Sequence, residues 1–135
     1  MQQIDADSVK VIIDTNALMT AEQFGVDIFG ELLRLGYVGW LVPAQVKGEL
    51  RSLADGADKG RDKTAARVAL GLAERCTIVG IDNCPADRAI EELAEKEGAA
   101  VFTNDKAMQK RLSSKGITVI SLSQGRYLAA VKTYY

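Results

Sequence analysis

Short apolar runs alternate with stretches of helical periodicity along the whole chain. Residues 9–13, Val-Lys-Val-Ile-Ile, are rich in β-branched side chains and predict a buried strand ending at Asp14. Val26, Ile28, Phe29, Leu32 and Leu33 recur at helical spacing, and Gly36 is placed to close that helix. Residues 39–42, 77–79, 99–102 and 117–120 predict further strands. Pro43 stands where a helix can begin, and Val46, Leu50 and Leu53 form the apolar stripe of that helix. Residues 62–75, 86–97 and 106–115 predict three more helices, and the tail from residue 123 a last short one. The clearest loop is Asp-Gly-Ala-Asp-Lys-Gly-Arg, residues 55–61.

Apolar strands interleaved with amphipathic helices need cover on both faces of a parallel sheet. The fold class is therefore α/β, a three-layer α-β-α arrangement around a mostly parallel sheet of about five strands. A chain of 135 residues suits one domain, residues 1–135, with one core, and it shows no internal repeat.

Composition narrows the chemistry. Hydrophobic residues make up 47% and charged residues 26%, as in an ordinary folded domain. The net charge of −1 argues against a basic coat for nucleic acid, though not against locally sorted charge. Histidine is absent, which removes imidazole general bases, Ser-His-Asp triads, HExxH zinc sites and paired-histidine RNA cleavage. Cys76 and Cys84 form no CxxC pair and read as reduced structural thiols. No apolar run approaches the ~20 residues of a membrane helix, and the first residues lack the build of a signal peptide. The expected location is cytoplasmic, with no membrane partner.

Carboxylates then stand out by position. Asp14 and Asp105 each follow an apolar strand, and ligands of open parallel sheets bind beyond the carboxyl ends of strands. Each also reads as a helix cap or turn residue. Glu49 shares the spacing of Val46, Leu50 and Leu53, which puts it in or beside the buried stripe. There it needs a cation, a Lys or Arg partner, or an edge position facing solvent. Asp87 sits in a first helical turn, three residues before Ile90, with Glu91 one turn on; a helix N-terminus also favours such an acid. Four acids on segments that one sheet end can gather would repel one another without a cation. Hard oxygen donors suit Mg²⁺ or Mn²⁺, and without histidine, metal activation of water is the natural route to phosphodiester hydrolysis.

Val11-Ile12-Ile13-Asp14-Thr15-Asn16-Ala17-Leu18-Met19 is similar to the first motif of PIN domains, and Val42-Pro43 with Val46, Glu49 and Leu50 to the second. Ala86-Asp87-Arg88-Ala89-Ile90 resembles the third and Val101-Phe102-Thr103-Asn104-Asp105 the fourth, and residues 112–120 continue the likeness. The branch most alike comprises the ribosomal-RNA-processing nucleases of the small-subunit processome and their archaeal relatives. Many of those carry two adjacent acids in the third motif, where this chain has Arg88 after Asp87. The resemblance implies a metal-dependent endoribonuclease leaving 5′-phosphate and 3′-hydroxyl ends. It implies that Asp14, Glu49, Asp87 and Asp105 are catalytic metal ligands for Mg²⁺ or Mn²⁺, held by Asn16 and Thr103. It also implies a homodimer, and a pre-ribosomal partner or, in a VapC-type toxin, a small antitoxin. Some PIN domains are instead scaffolds that bind RNA or protein without cutting. Phosphatases of the haloacid-dehalogenase type need an aspartate where Asn16 stands, and receiver domains need paired acids that this chain does not offer.

Basic residues are grouped. Lys59, Arg61, Lys63 and Arg67 crowd the loop and the helix after it, while Lys106, Lys110, Arg111 and Lys115 follow Asp105. Both groups are candidate contacts for single-stranded or looped RNA, or plain solvated faces. Trp40 and the tyrosines read as packing residues.

Overall fold

The computed structural model describes residues 9–56 and 60–132, apart from the side chain of residue 61. Among the described residues six strands form one sheet in the order β3-β2-β1-β4-β5-β6. They are β1 (Lys10–Ile13), β2 (Gly39–Pro43), β3 (Thr77–Val79), β4 (Ala100–Phe102), β5 (Val119–Ser123) and β6 (Tyr127–Ala130). Helices α1 (Thr15–Phe24), α2 (Ile28–Arg34), α3 (Ala44–Asp55), α4 (Gly60–Ala73), α5 (Ala86–Glu97) and α6 (Lys106–Ser114) complete the three layers. Helices α1, α3 and α4 pack on one another, and α5 lies across β1, β2 and β4.

The first five strands are parallel, and the most deeply buried of them, β1 and β4, lie at the centre of the sheet. Val11, Ile12 and Ile13 of β1 are fully buried between β2 and β4, in register with Trp40 and Leu41 on one side and Ala100, Val101 and Phe102 on the other. Phe29, Leu32, Leu50, Ile90, Leu93 and Leu112 seal the core from the helices.

Two expectations are corrected. The apolar pattern assigns no element between Asp14 and Val26, yet α1 occupies that interval, started by the Asp14 side chain, which accepts from Thr15 N, and stopped by left-handed Gly25. The tail holds no helix within the described residues. Gln124 and Gly125 both have positive φ, 55° and 66°, so the chain reverses and β6 pairs antiparallel with β5 as a sixth strand. Residues 133–135 of that tail, and the predicted start at residues 1–8, lie outside the described residues. The outer edge of β6 is closed by α2: Glu31 Oε1 accepts from Leu128 N over 3.0 Å, and Arg34 donates to Leu128 O over 2.8 Å.

Trp40 packs its ring 4.4 Å from that of Phe29, under the Arg75 guanidinium, as a packing residue should. Cys76 and Cys84 are both free thiols.

Candidate active site

Because β1 and β4 are parallel neighbours, the residues that follow them emerge side by side. Asp14 N donates to Phe102 O over 3.0 Å, which carries β1 one residue further along β4. Asp14 is thereby held at the strand end with 7% of its surface exposed. Its Oδ1 accepts from Thr15 N at 2.8 Å. Its Oδ2 accepts from Thr103 Oγ1 at 2.7 Å and from Asn16 Nδ2 at 3.2 Å.

Three other acids reach the same place from separate elements. Glu49 projects from the middle of α3, Asp87 from the first turn of α5, and Asp105 from the cap of α6. All four, with Thr15, Asn16, Met19, Leu53, Pro85, Ala86 and Met108, line one pocket of ≈ 320 Å³. A larger cavity opens where α1 ends and α4 begins, lined by Glu22, Gln23, Phe24, Gly60, Thr64 and Ala65. It gathers no comparable set of acids, so volume alone does not mark the chemistry.

Glu49 stands at the exposed edge of its stripe, while Val46 and Leu50 are fully buried. Its Oε1 accepts from Thr15 Oγ1 at 2.5 Å. Asp105 Oδ1 caps α6 through Ala107 N and Met108 N. Asp87 Oδ1 accepts from Arg88 N at 2.9 Å. Asp105 and Asp87 thus accept from nearby backbone amides as their positions suggested, Glu49 takes the edge position, and all three also line the pocket. Glu49 Oε2 and Asp105 Oδ2 accept no hydrogen bond among the described residues.

Burial pushes the Asp14 carboxyl above its ordinary value. The hydrogen bonds from Thr103 and Thr15 pull it back, and the charges of Glu49 and Asp105 push it up again. A carboxylate in that position gains from a nearby cation. Among the described residues no three acids or cysteines hold one ion directly as they stand. The donors do suit a hard cation that keeps part of its water shell: all are oxygens, two are free, and the pocket has room for water.

The predicted partners Asn16 and Thr103 both touch Asp14. The sequence pattern gives Thr15, Asn104 and Gln109 no role in the site. Thr15 reads as a turn residue until α3 lies against it. Gln109 is only 5% exposed, and its Nε2 donates to Thr103 O at 2.8 Å; a lone glutamine on a helix gives no sign of that in sequence.

The basic residues divide. Lys106 and Lys110 are exposed on α6 and form no ion pair among the described residues. Arg111 turns to α5, with Nε 2.9 Å from Glu91 Oε1 and a terminal nitrogen 3.7 Å from Asp87 Oδ2. Lys115 pairs with Glu95 at 3.0 Å. Arg88 faces away to Glu92 at 3.8 Å, and Glu91 is spent on Arg111 rather than lining the pocket. Lys63 and Arg67 lie on α4 and do not line it either. Lys59 and the Arg61 side chain lie outside the described residues. Among the described residues no helix is long and apolar enough to cross a membrane.

Residues 11–125 match the family model described as a PIN like domain. The chain is 35% identical over 115 residues to Ribonuclease VapC9 of Archaeoglobus fulgidus, covering 85% of this chain and 84% of that one. It is 30% identical over 122 residues to Ribonuclease VapC4 of Methanocaldococcus jannaschii, covering 87% and 93%. Among solved structures it is similar to the PIN domain endonuclease Utp24, with a TM-score of 0.76, 24% identity and 94% of each chain covered. It is also similar to a domain of a functionally unknown protein from Methanocaldococcus jannaschii, with a TM-score of 0.57, 18% identity, and 95% and 97% covered. These two likenesses are of fold.

Proposed function

The chain belongs to the PIN-like domain family, and from that premise we propose that it is a metal-dependent endoribonuclease. The observation that carries the reading is the convergence of Asp14, Glu49, Asp87 and Asp105, from four separate elements, on one pocket beyond the strand ends. Those four carboxylates would hold Mg²⁺ or Mn²⁺. When bound, such an ion activates the attacking water and neutralises charge on the scissile phosphate. The protein's own part is orientation. Thr103 and Asn16 fix Asp14, Thr15 fixes Glu49, and Asp105 is anchored by the α6 amides. Lys106 and Lys110, on the helix that starts at Asp105, would attract the RNA backbone, with Arg111 bracing α6 against α5. Two relatives named as ribonucleases support RNA as the substrate.

The test is cleavage of a structured RNA with Mn²⁺ or Mg²⁺, comparing the wild type with Asp14→Asn. Cleavage that needs the metal, stops with chelator and is lost in the folded variant is the expected result. No cleavage by either protein on several RNAs would replace this reading with a scaffold that binds without cutting. Equal cleavage by both would place the chemistry elsewhere.

The setting has two forms. Resemblance to the processome branch suggests ribosomal-RNA processing with a pre-ribosomal partner. The VapC names of both relatives favour a toxin ribonuclease held by a small antitoxin. Copurification from the native host separates them: a small stoichiometric protein partner means the toxin, whereas pre-ribosomal RNA means processing. The homodimer expected of the family would appear as a doubled mass in solution.

A further inference from the structure

Strands β4 and β5 run parallel, with Val101 N donating to Thr118 O and Thr103 N to Ile120 O, each at 3.0 Å. The next rung of that ladder would run from Leu122 N to Thr103 O. It is not made. Leu122 N instead donates to Asn104 Oδ1 at 2.9 Å, and Thr103 O accepts from Gln109 Nε2 at 2.8 Å. Two side-chain amides have taken over the two halves of one backbone hydrogen bond, so neither the buried Thr103 O nor the half-buried Leu122 N is left unpaired.

That substitution opens the sheet where the site lies. Freed from β5, the chain after Thr103 can turn toward β1. Thr103 Oγ1 then donates to Asp14 Oδ2 at 2.7 Å and accepts from Asp105 N at 3.1 Å. Asn104 N donates to Asn16 Oδ1 at 3.1 Å, which leaves the Asn16 amide nitrogen to Asp14. Asn104 Nδ2 donates to Thr20 Oγ1 at 2.9 Å and so ties the corner to α1.

We propose that Asn104 and Gln109 are positioning residues of the acidic pocket: by replacing the last rung between β4 and β5 they hold Thr103, Asn16 and Asp105 in the arrangement that orients Asp14. Neither touches the pocket itself. With either amide removed, the rung can re-form, and the corner carrying Thr103 and Asp105 is drawn toward β5. The inference rests on the nuclease reading above.

The test uses Asn104→Ala and Gln109→Met, the latter keeping length but losing the donor. Mn²⁺ affinity is measured by calorimetry without RNA, alongside kcat and KM for RNA cleavage. Each variant should weaken Mn²⁺ binding by about tenfold or more and lower kcat similarly, in the range of lost supporting contacts around ligands. KM should change less than about twofold, because the RNA-attracting lysines are untouched. A folded variant with wild-type Mn²⁺ affinity and kcat overturns the proposal, even if it melts at lower temperature. Should either variant fail to fold, Thr20→Val, which removes the acceptor of Asn104 Nδ2 together with the hydroxyl's bond to Asn16 O inside α1, decides with a smaller shift of the same kind or none. A wild type that binds no Mn²⁺ and cuts no RNA would overturn the nuclease reading and this proposal together. Variants equal to an active wild type would overturn this proposal alone.

Discussion

Thr15 Oγ1 donates to Glu49 Oε1 over 2.5 Å, joining the first turn of α1 to the middle of α3 across 34 positions of sequence. Thr15 is 9% exposed and Glu49 is an exposed residue that lines the pocket, so a nearly buried hydroxyl holds an exposed glutamate. Glu49 Oε2 is left to face the pocket.

Removing that hydroxyl should therefore loosen Glu49 without touching Asp14. Thr15→Val keeps the shape of the side chain, and the backbone bond from residue 15 to Asp14 survives. Mn²⁺ affinity should fall about tenfold, with kcat falling by a similar factor, as for other groups that orient metal ligands. Titration calorimetry and steady-state cleavage measure both. An unaltered variant would mean that Glu49 needs no support.

Metal binding should couple to stability in a pH-dependent way. The Asp14 carboxyl is raised, chiefly by burial. A group whose folded pKa exceeds its unfolded value stabilises the fold below the unfolded pKa and loses that contribution as pH rises through the folded pKa. The ionised form of the buried Asp14 is the one a cation stabilises, so metal binding offsets the cost of burying that charge. With Mn²⁺ at about a hundred times its Kd, the gain is about 2.7 kcal/mol, or a Tm increase of about 5–10 °C. The increase should shrink as pH falls toward the Asp14 pKa, where protons compete for the same oxygens. Scanning calorimetry at neutral and acidic pH checks this; an increment that ignores pH, or survives in Asp14→Ala, would locate the metal elsewhere.

The two free lysines of α6 should carry RNA affinity where the two paired cations do not. Lys106→Glu with Lys110→Glu should weaken RNA binding at low salt and flatten the salt dependence by about two units of slope. Arg111→Gln, which breaks the contacts to Glu91 and Asp87, should act more on Tm than on that slope. Filter binding across a salt series distinguishes them. Equal slopes for the lysine variant and the wild type would remove α6 from the RNA path.

The Cys76 thiol should resist modification. Burial pushes the Cys76 thiol up to about 12, and its Sγ lies 3.7 Å from Leu72 O. At pH 8 its thiolate fraction is then about one part in ten thousand, so an alkylating reagent should leave Cys76 unmodified in the folded protein. Mass mapping after brief labelling reads this directly. Rapid modification of Cys76 would show that the end of α4 opens.

Much of this was legible in the chain itself. Apolar runs such as Val11-Ile12-Ile13 and Val101-Phe102 predicted parallel strands because strands buried on both faces admit little else. Asp14 and Asp105 stood out because they follow those strands directly, and Asp87 because it opens a helix. Helix α1 escaped because its starting signal is Asp14 itself, which serves both as cap and as pocket acid. β6 escaped because a four-residue edge strand owes its existence to its neighbours, β5 and the Glu31 and Arg34 side chains that close its outer edge.

The sequence by itself determined the alternation of strand and helix, the absence of histidine and the supply of carboxylates at element ends. These depend on residue type and local spacing, which a single chain displays. Only the tertiary structure decided that Thr15 serves Glu49, that Arg111 is spent on α5 while Lys106 and Lys110 stay free, and that Asn104 and Gln109 replace a rung of the sheet. Those pairings join residues far apart in sequence, or amides whose partners are backbone groups. Hydrogen bonding depends on which unpaired groups the packed elements bring within about 3 Å, and packing alone brings them there.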